Sequence, residues 1–171
     1  MRRIQAQPIT REAFAPFGDV VIAARPDIQP VMVNFGTAAR RNHAGLLVNE
    51  RPAACPNLCT FVCTPWTRFP VVVESMEKHP RSSQLFVPTR VEKYLVVVAG
   101  GDEAPDTETL RAFVAGPGES VIYGPNVWHM PLIVMGTANA EFVMFVWEDD
   151  TREDCVVARI KEHVEIADLA R

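Results

Sequence analysis

Long hydrophobic runs are missing from this sequence, and so is any excess of basic charge. No apolar stretch approaches the ~18–20 residues that a membrane-spanning helix requires, so no membrane association is expected. Seventeen Lys and Arg stand against twenty-one Asp and Glu, a net charge of −4. Nucleic acid and anionic lipid both call for a basic face to neutralise phosphate, and neither is expected as a partner. The opening MRRIQAQPITREAF places two arginines after Met1 with no apolar stretch behind them, which speaks against a signal peptide and for a cytoplasmic protein. Cysteine is scarce: Cys55, Cys59, Cys63 and Cys155 are spaced without the C-x2-C pair that pinches a zinc ion into a knuckle. In an extended LCTFVCT, Cys59 and Cys63 share a face and are expected to be small buried apolar groups. No cationic or helix-end setting marks any of the four as a reactive thiol. Repeats, linkers and low-complexity tracts are absent as well, so the 171 residues are expected to form one soluble domain, 1–171.

What is present reads as strand. DVVIA (19–23), VMVNF (31–35), AGLLVNE (44–50), LCTFVCT (58–64), VVVES (71–75), SQLFVP (83–88), KYLVVVAG (93–100), LRAFVA (110–115), SVIYG (120–124), MPLIVMG (130–136) and FVMFVW (142–147) are short and rich in Val, Ile, Leu and Phe. Turn residues punctuate them. Eleven such segments predict an all-β sandwich or barrel, and a jelly-roll barrel suits them because closure or a second sheet removes exposed strand edges. A few short helices are expected beside the strands. One lies in TREAFAPFG (10–18) with Thr10 as N-cap, and a single turn opens DTETLRAF (106–113). The tail RIKEHVEIADLAR reads as a strand followed by a short helix.

Two segments carry the chemistry. Glu77, His79 and Gln84 lie close together in E-K-H-P-R-S-S-Q, and alternation along a strand points Glu77 and His79 to one face. His129 follows Gly118 by eleven positions, with a Gly-Pro-Asn turn at 124–126 between them. Two strands meeting in a small barrel would present all four side chains to one cavity. Taken singly, each has an ordinary structural role available to it. His43 and His163 sit in polar surroundings and read as surface residues, and Lys93 reads as solvated.

The spacing resembles that of the cupins, with two histidines two apart, a carboxylate five further on, and a third histidine eleven after a glycine. Here Glu77 stands at the first histidine position and Gln84 at the carboxylate position. ESMEKHPRSSQLFVP, YLVVVAGGDEAPDTETLRAFVAGPGESVIY and NVWHMPL look like the ureidoglycolate lyase family of allantoin degradation. REAFAPFGDV and VNFGTAARRNHAGL extend the likeness over most of the chain. The resemblance implies a cupin-type jelly-roll barrel, a homodimer, and cleavage of ureidoglycolate to glyoxylate and urea without a hydrolytic water. Met130 departs from relatives that carry a histidine there.

On that footing Glu77, His79 and His129 are the catalytic candidates, with Glu77 or His129 as base and His79 as acid. Arg111 and Arg40 are the candidates for the substrate carboxylate, with Gln84, Asn34 and Asn126 for its ureido group. Glu77, His79 and His129, with Gln84 as a weak fourth donor, would suit a divalent first-row metal of the nickel, zinc or manganese class; a metal-free site is the other option. Two further readings stay open: another cupin enzyme such as a dioxygenase or epimerase, and a cupin that binds a small acid without turning it over.

Overall fold

The computed structural model describes residues 2–167, and its chain runs almost entirely through strands and turns. The architecture is all-β, as expected, and is organised around one strand. After its exposed Lys93, the strand Lys93–Ala99 is an unbroken apolar run because both of its faces are covered. Tyr94, Val96 and Val98 enter one core with Phe14, Phe86, Phe113, Tyr123 and Phe142. Leu95, Val97 and Ala99 enter a second core with Met76, Leu110, Trp128, Val164 and Ile166. Period-2 alternation therefore distributes one strand between two hydrophobic layers.

The sheet containing this strand has the order Val156–Arg159, Ser75–Lys78, Trp128–His129, Lys93–Ala99, Arg111–Ala115, Gln7–Pro8, and Ile133–Met135 also pairs with Lys93–Ala99. A five-stranded sheet faces it across the first core: Gly18–Val21, Ser120–Tyr123, Gln84–Arg90, Ala140–Glu148 and Cys55–Cys63. A three-stranded sheet of Arg2–Gln5, Val164–Ala167 and Val71–Val72 backs the second core. The hairpin Val31–Val33 with Ala38–Arg40 stands apart. The barrel is thus a double-sheet jelly roll of separate ladders rather than one closed ladder.

Thr10 caps the helix Arg11–Phe14 as its sequence predicts, its hydroxyl accepting from the Ala13 amide at 3.1 Å. The helix delivers Phe14, fully buried, edge-on to Phe113 and tilted against Tyr123. Gly18 then opens the next strand at φ +147°, and a Cβ there would lie 1.8 Å from the Ile122 carbonyl oxygen. Asp106 caps a single 3-10 turn at Thr107–Thr109, where one turn was expected.

Other expectations need correction. Residues 44–50 form no strand beyond an isolated bridge between Asn49 and Ser82. Polar side chains take bonds that a ladder would need: Ser83 Oγ accepts from the Val48 amide and Asn49 Oδ1 from the Arg51 amide. VVVES is divided, because Val71–Val72 joins the three-stranded sheet while Ser75–Lys78 joins the central one. Cys59 and Cys63 are half-buried rather than buried, since Cys55–Cys63 is the edge strand of its sheet. The expected tail strand is present at Val164–Ala167, and the helix expected after it lies outside the described residues. Among the described residues no helix is long and apolar enough to cross a membrane.

Because the aromatic cluster ties the helix to both large sheets, Phe14→Ala is expected to cost about 3–5 kcal/mol of unfolding free energy. Val157→Ala, at an exposed position, is expected to stay within about 0.5 kcal/mol. Urea unfolding midpoints at constant slope check both.

Candidate functional site

Strand register assembles the site. His129 lies directly opposite Glu77 on one side and Val98 on the other, and directly opposed residues of antiparallel strands share a face. That face looks into the first core, towards the five-stranded sheet. His79 follows the end of Ser75–Lys78, and its carbonyl accepts from the Asn126 amide at 2.9 Å, which joins it to the turn leading into His129. Gln84 starts its strand in the facing sheet and is paired with Tyr123. Tyr123 in turn stacks on His129, with ring centroids 4.1 Å apart and planes within 7°. Ligand atoms of Glu77, His79 and His129 all lie within 4.8 Å of one another.

The two histidines are oriented by main-chain carbonyls. The Nδ1–H of His129 donates to Val127 O at 3.0 Å, and that of His79 donates to Asp154 O at 2.5 Å. Each ring therefore turns its Nε2 towards the site, and neither Nε2 has a partner in hydrogen-bond geometry. His129 is 1% exposed and His79 6%, so both rings are shut off from bulk solvent. Glu77 Oε1 lies 3.5 Å from the His129 Nε2. The adjacent His129 ring holds the Glu77 carboxyl below its ordinary pKa against the opposing effect of burial. Burial, and then the neighbouring His129, push the His79 pKa down. Gln84, 5% exposed, adds a third orphan in its Oε1.

Two imidazole nitrogens and a carboxylate oxygen brought this close suit a shared cation, either a proton between Glu77 and His129 or a metal ion. One carboxylate oxygen and two imidazole nitrogens, each imidazole fixed by a bond at its other nitrogen, are the donor set that first-row divalent metals take. The residues fit such an ion, and the neutral Gln84 carbonyl is a weaker fourth donor.

The remaining expected residues divide. Asn126 lies close to the site through its backbone, but its side chain accepts from Lys78 Nζ at 2.5 Å and donates to Asp102 Oδ1 at 3.3 Å. It braces the turn instead of facing the donors. Arg111 shares the row Glu77–His129–Val98–Arg111 two strands away, where its guanidinium bonds the Glu108 and Leu110 carbonyls. It lines a cleft of about 690 Å³ with Asn126 and Phe17. Arg40 and Asn34 sit on the separate hairpin, Arg40 bonded to Asn42 and Asn34 exposed. His43, Lys93 and His163 are exposed, as expected.

Sequence reasoning missed Tyr123, the stacking partner of His129, and Cys155, whose Sγ lies 3.8 Å from Glu77 Oε2. Nothing local flags Cys155, because the contact spans 78 positions. Tyr123 was closer to hand, in the strand between Gly118 and His129.

A model of the family described as ureidoglycolate lyase matches residues 1–167. The ureidoglycolate lyase of Escherichia coli (strain K12) is 35% identical over 130 residues, which cover 76% of this chain and 79% of that protein. The ureidoglycolate lyase of Pseudomonas savastanoi pv. phaseolicola (strain 1448A / Race 6) is 33% identical over 135 residues, 79% of this chain and 78% of that protein. Among solved structures, RmlC from Streptococcus suis in complex with dTDP-D-xylose superposes with a TM-score of 0.39 at 15% identity, over 78% of this chain and 72% of that one. At that distance it bears on neither fold nor function.

Isothermal titration of chelator-treated protein with Ni²⁺, Zn²⁺ or Mn²⁺ is expected to show one site per chain. His79→Ala and His129→Ala are each expected to weaken it by more than about 100-fold, since losing even an outer partner of a ligand costs ~10–100-fold.

Proposed function

The chain belongs to the ureidoglycolate lyase family, and from that premise we propose that Glu77, His79 and His129 form the centre at which ureidoglycolate is cleaved to glyoxylate and urea. The supporting observation is the set of three buried or half-buried donors, whose ligand atoms all lie within 4.8 Å of one another.

Ureidoglycolate is a carbinolamide, with hydroxyl, carboxylate, hydrogen and a urea nitrogen on one carbon. Cleavage moves the hydroxyl proton to the departing nitrogen as the C–O bond becomes a carbonyl, and no water is consumed. Glu77 is the residue for this transfer. Its carboxyl is held in the charged form, and its two oxygens face different neighbours, Oε1 towards His129 and Oε2 towards Cys155. It takes the hydroxyl proton and returns it to the urea nitrogen, so one carboxylate serves both steps. His79 is disfavoured as the acid, because its Nε2 carries the lone pair and burial opposes its protonation. His79 and His129, with Glu77 beside them, would instead hold a divalent cation of the nickel, zinc or manganese class, which when bound would make the substrate hydroxyl more acidic.

Gln84 is assigned to the substrate, its unpartnered Oε1 accepting from a ureido N–H. Arg111 and Arg40 remain the cationic candidates for the carboxylate, with Asn34 beside Arg40 on the hairpin; neither arginine bonds the central donors within one chain. The homodimer and the cytoplasmic location belong to the same reading. The hairpin supports the dimer, since its tip carries a fully exposed Phe35 at φ +59° beside an exposed Met32.

Purified protein incubated with ureidoglycolate under anaerobic conditions is expected to release glyoxylate and urea in equal amounts, which an oxygenase would not do. Glu77→Ala is expected to lower kcat by about 10²–10⁴-fold. Near-normal turnover by Glu77→Ala and by His129→Ala would overturn the site assignment.

A further inference from the structure

The bond that orients His79 comes from a loop, and the loop is held by a side chain that touches none of the three donors. Residues 149–155 cross from Ala140–Glu148 in the five-stranded sheet to Val156–Arg159 in the central sheet. Their far end meets the site twice. Asp154 O accepts from His79 Nδ1, and Cys155 Sγ approaches Glu77 Oε2.

Arg51, 7% exposed, fastens that loop. Its Nη1 donates to Asp149 Oδ1 at 2.6 Å and to Asp154 Oδ1 at 2.5 Å, and its Nη2 donates to Trp147 O at 2.8 Å. Two further donors of the loop close on the same two carboxylates. The Asp149 amide donates to Asp154 Oδ1 at 2.9 Å, and the Thr151 hydroxyl donates to Asp149 Oδ1 at 2.6 Å. Arg51 is itself anchored on the site's other side. The Glu50 amide before it donates to Arg81 O, and the Ser83 amide donates to Val48 O, within the segment joining His79 to Gln84.

We propose that Arg51 is a positioning residue of this site, holding the Asp149–Cys155 loop so that the Asp154 carbonyl keeps His79 in its Nδ1–H tautomer. Without the guanidinium, two carboxylates are left side by side in a half-buried loop with no counter-charge, and they drive it apart. Once Asp154 O withdraws, the Nδ1–H form of His79 loses its preference, and the competing Nε2–H form has no lone pair to offer the centre. A lysine does not replace this fork, because one ammonium does not reach two carboxylates and a carbonyl from fixed directions. His129 is the internal reference. Its acceptor, Val127 O, lies on a segment that Arg51 does not hold.

The proposal rests on the donor set described above but not on the substrate, so its test uses neither ureidoglycolate nor turnover. Metal-free protein labelled with ¹⁵N-histidine is examined by long-range ¹H–¹⁵N correlation at one fixed pH. Wild type and Arg81→Ala, which removes only an exposed pair with Glu50, are expected to show both site histidines as Nδ1–H. Arg51→Ala and Arg51→Lys are expected to move His79 to a mixed or Nε2–H pattern while His129 stays unchanged, with Zn²⁺ affinity falling about 10–100-fold. If Arg51→Ala does not fold, Arg51→Lys, which keeps the charge and loses the fork, carries the test by itself. An unaltered His79 pattern in the folded variants, or an equal change at both histidines, would overturn the proposal.

Discussion

Two main-chain carbonyls, Val127 O and Asp154 O, set the chemistry of this molecule. Each accepts the Nδ1–H of one buried histidine and thereby turns its Nε2 into the same space. Glu77 adds a carboxylate to that space, 3.5 Å from one of them. An arrangement of this kind is costly for the two imidazoles by themselves, since burial takes them out of bulk water. It becomes favourable when a cation is shared among them. The tautomers therefore decide what the site can hold, and through that what it can do.

The fold supplies those carbonyls from two different segments. Val127 belongs to the turn entering the short strand Trp128–His129, which is wedged between Ser75–Lys78 and the fully covered strand Lys93–Ala99. Asp154 comes from the loop joining the two large sheets. Tyr123 stacks on His129 from the facing sheet, so the ring is gripped on its face as well as at Nδ1. The second core, on the far side of the central sheet, gives the site a rigid floor: Met76 and Trp128 sit there, next in sequence to Glu77 and His129. Lys78 follows the same alternation away from the site, its ammonium lying 4.7 Å from the Trp128 ring centre.

Much of this was legible in the residues. Alternation alone placed Glu77 and His79 on a common face, and the apolar strands with their turn residues identified an all-β fold. Residues 44–50 misled because Leu46 and Leu47 look like strand residues and are in fact exposed, while Asn49 and Ser83 divert the backbone bonds. Asn126 lies in the neighbourhood expected of it, where its amide supports His79 and its side chain bonds Lys78 and Asp102. Arg111 shared a row with His129, yet its guanidinium is held two strands away by carbonyls.

The sequence by itself determined the donors, Glu77, His79, Gln84 and His129, because strand alternation and donor chemistry are local properties. It also determined the class of fold, because the apolar pattern repeats every two residues. Only the tertiary structure decided which nitrogen of each histidine is free, since that depends on carbonyls 2 and 75 positions away. It alone decided that Arg51 holds one of those carbonyls, through carboxylates 98 and 103 positions along the chain. A backbone carbonyl has no side-chain signature, and a long-range ion pair leaves no local spacing, so neither is written in any short stretch of residues.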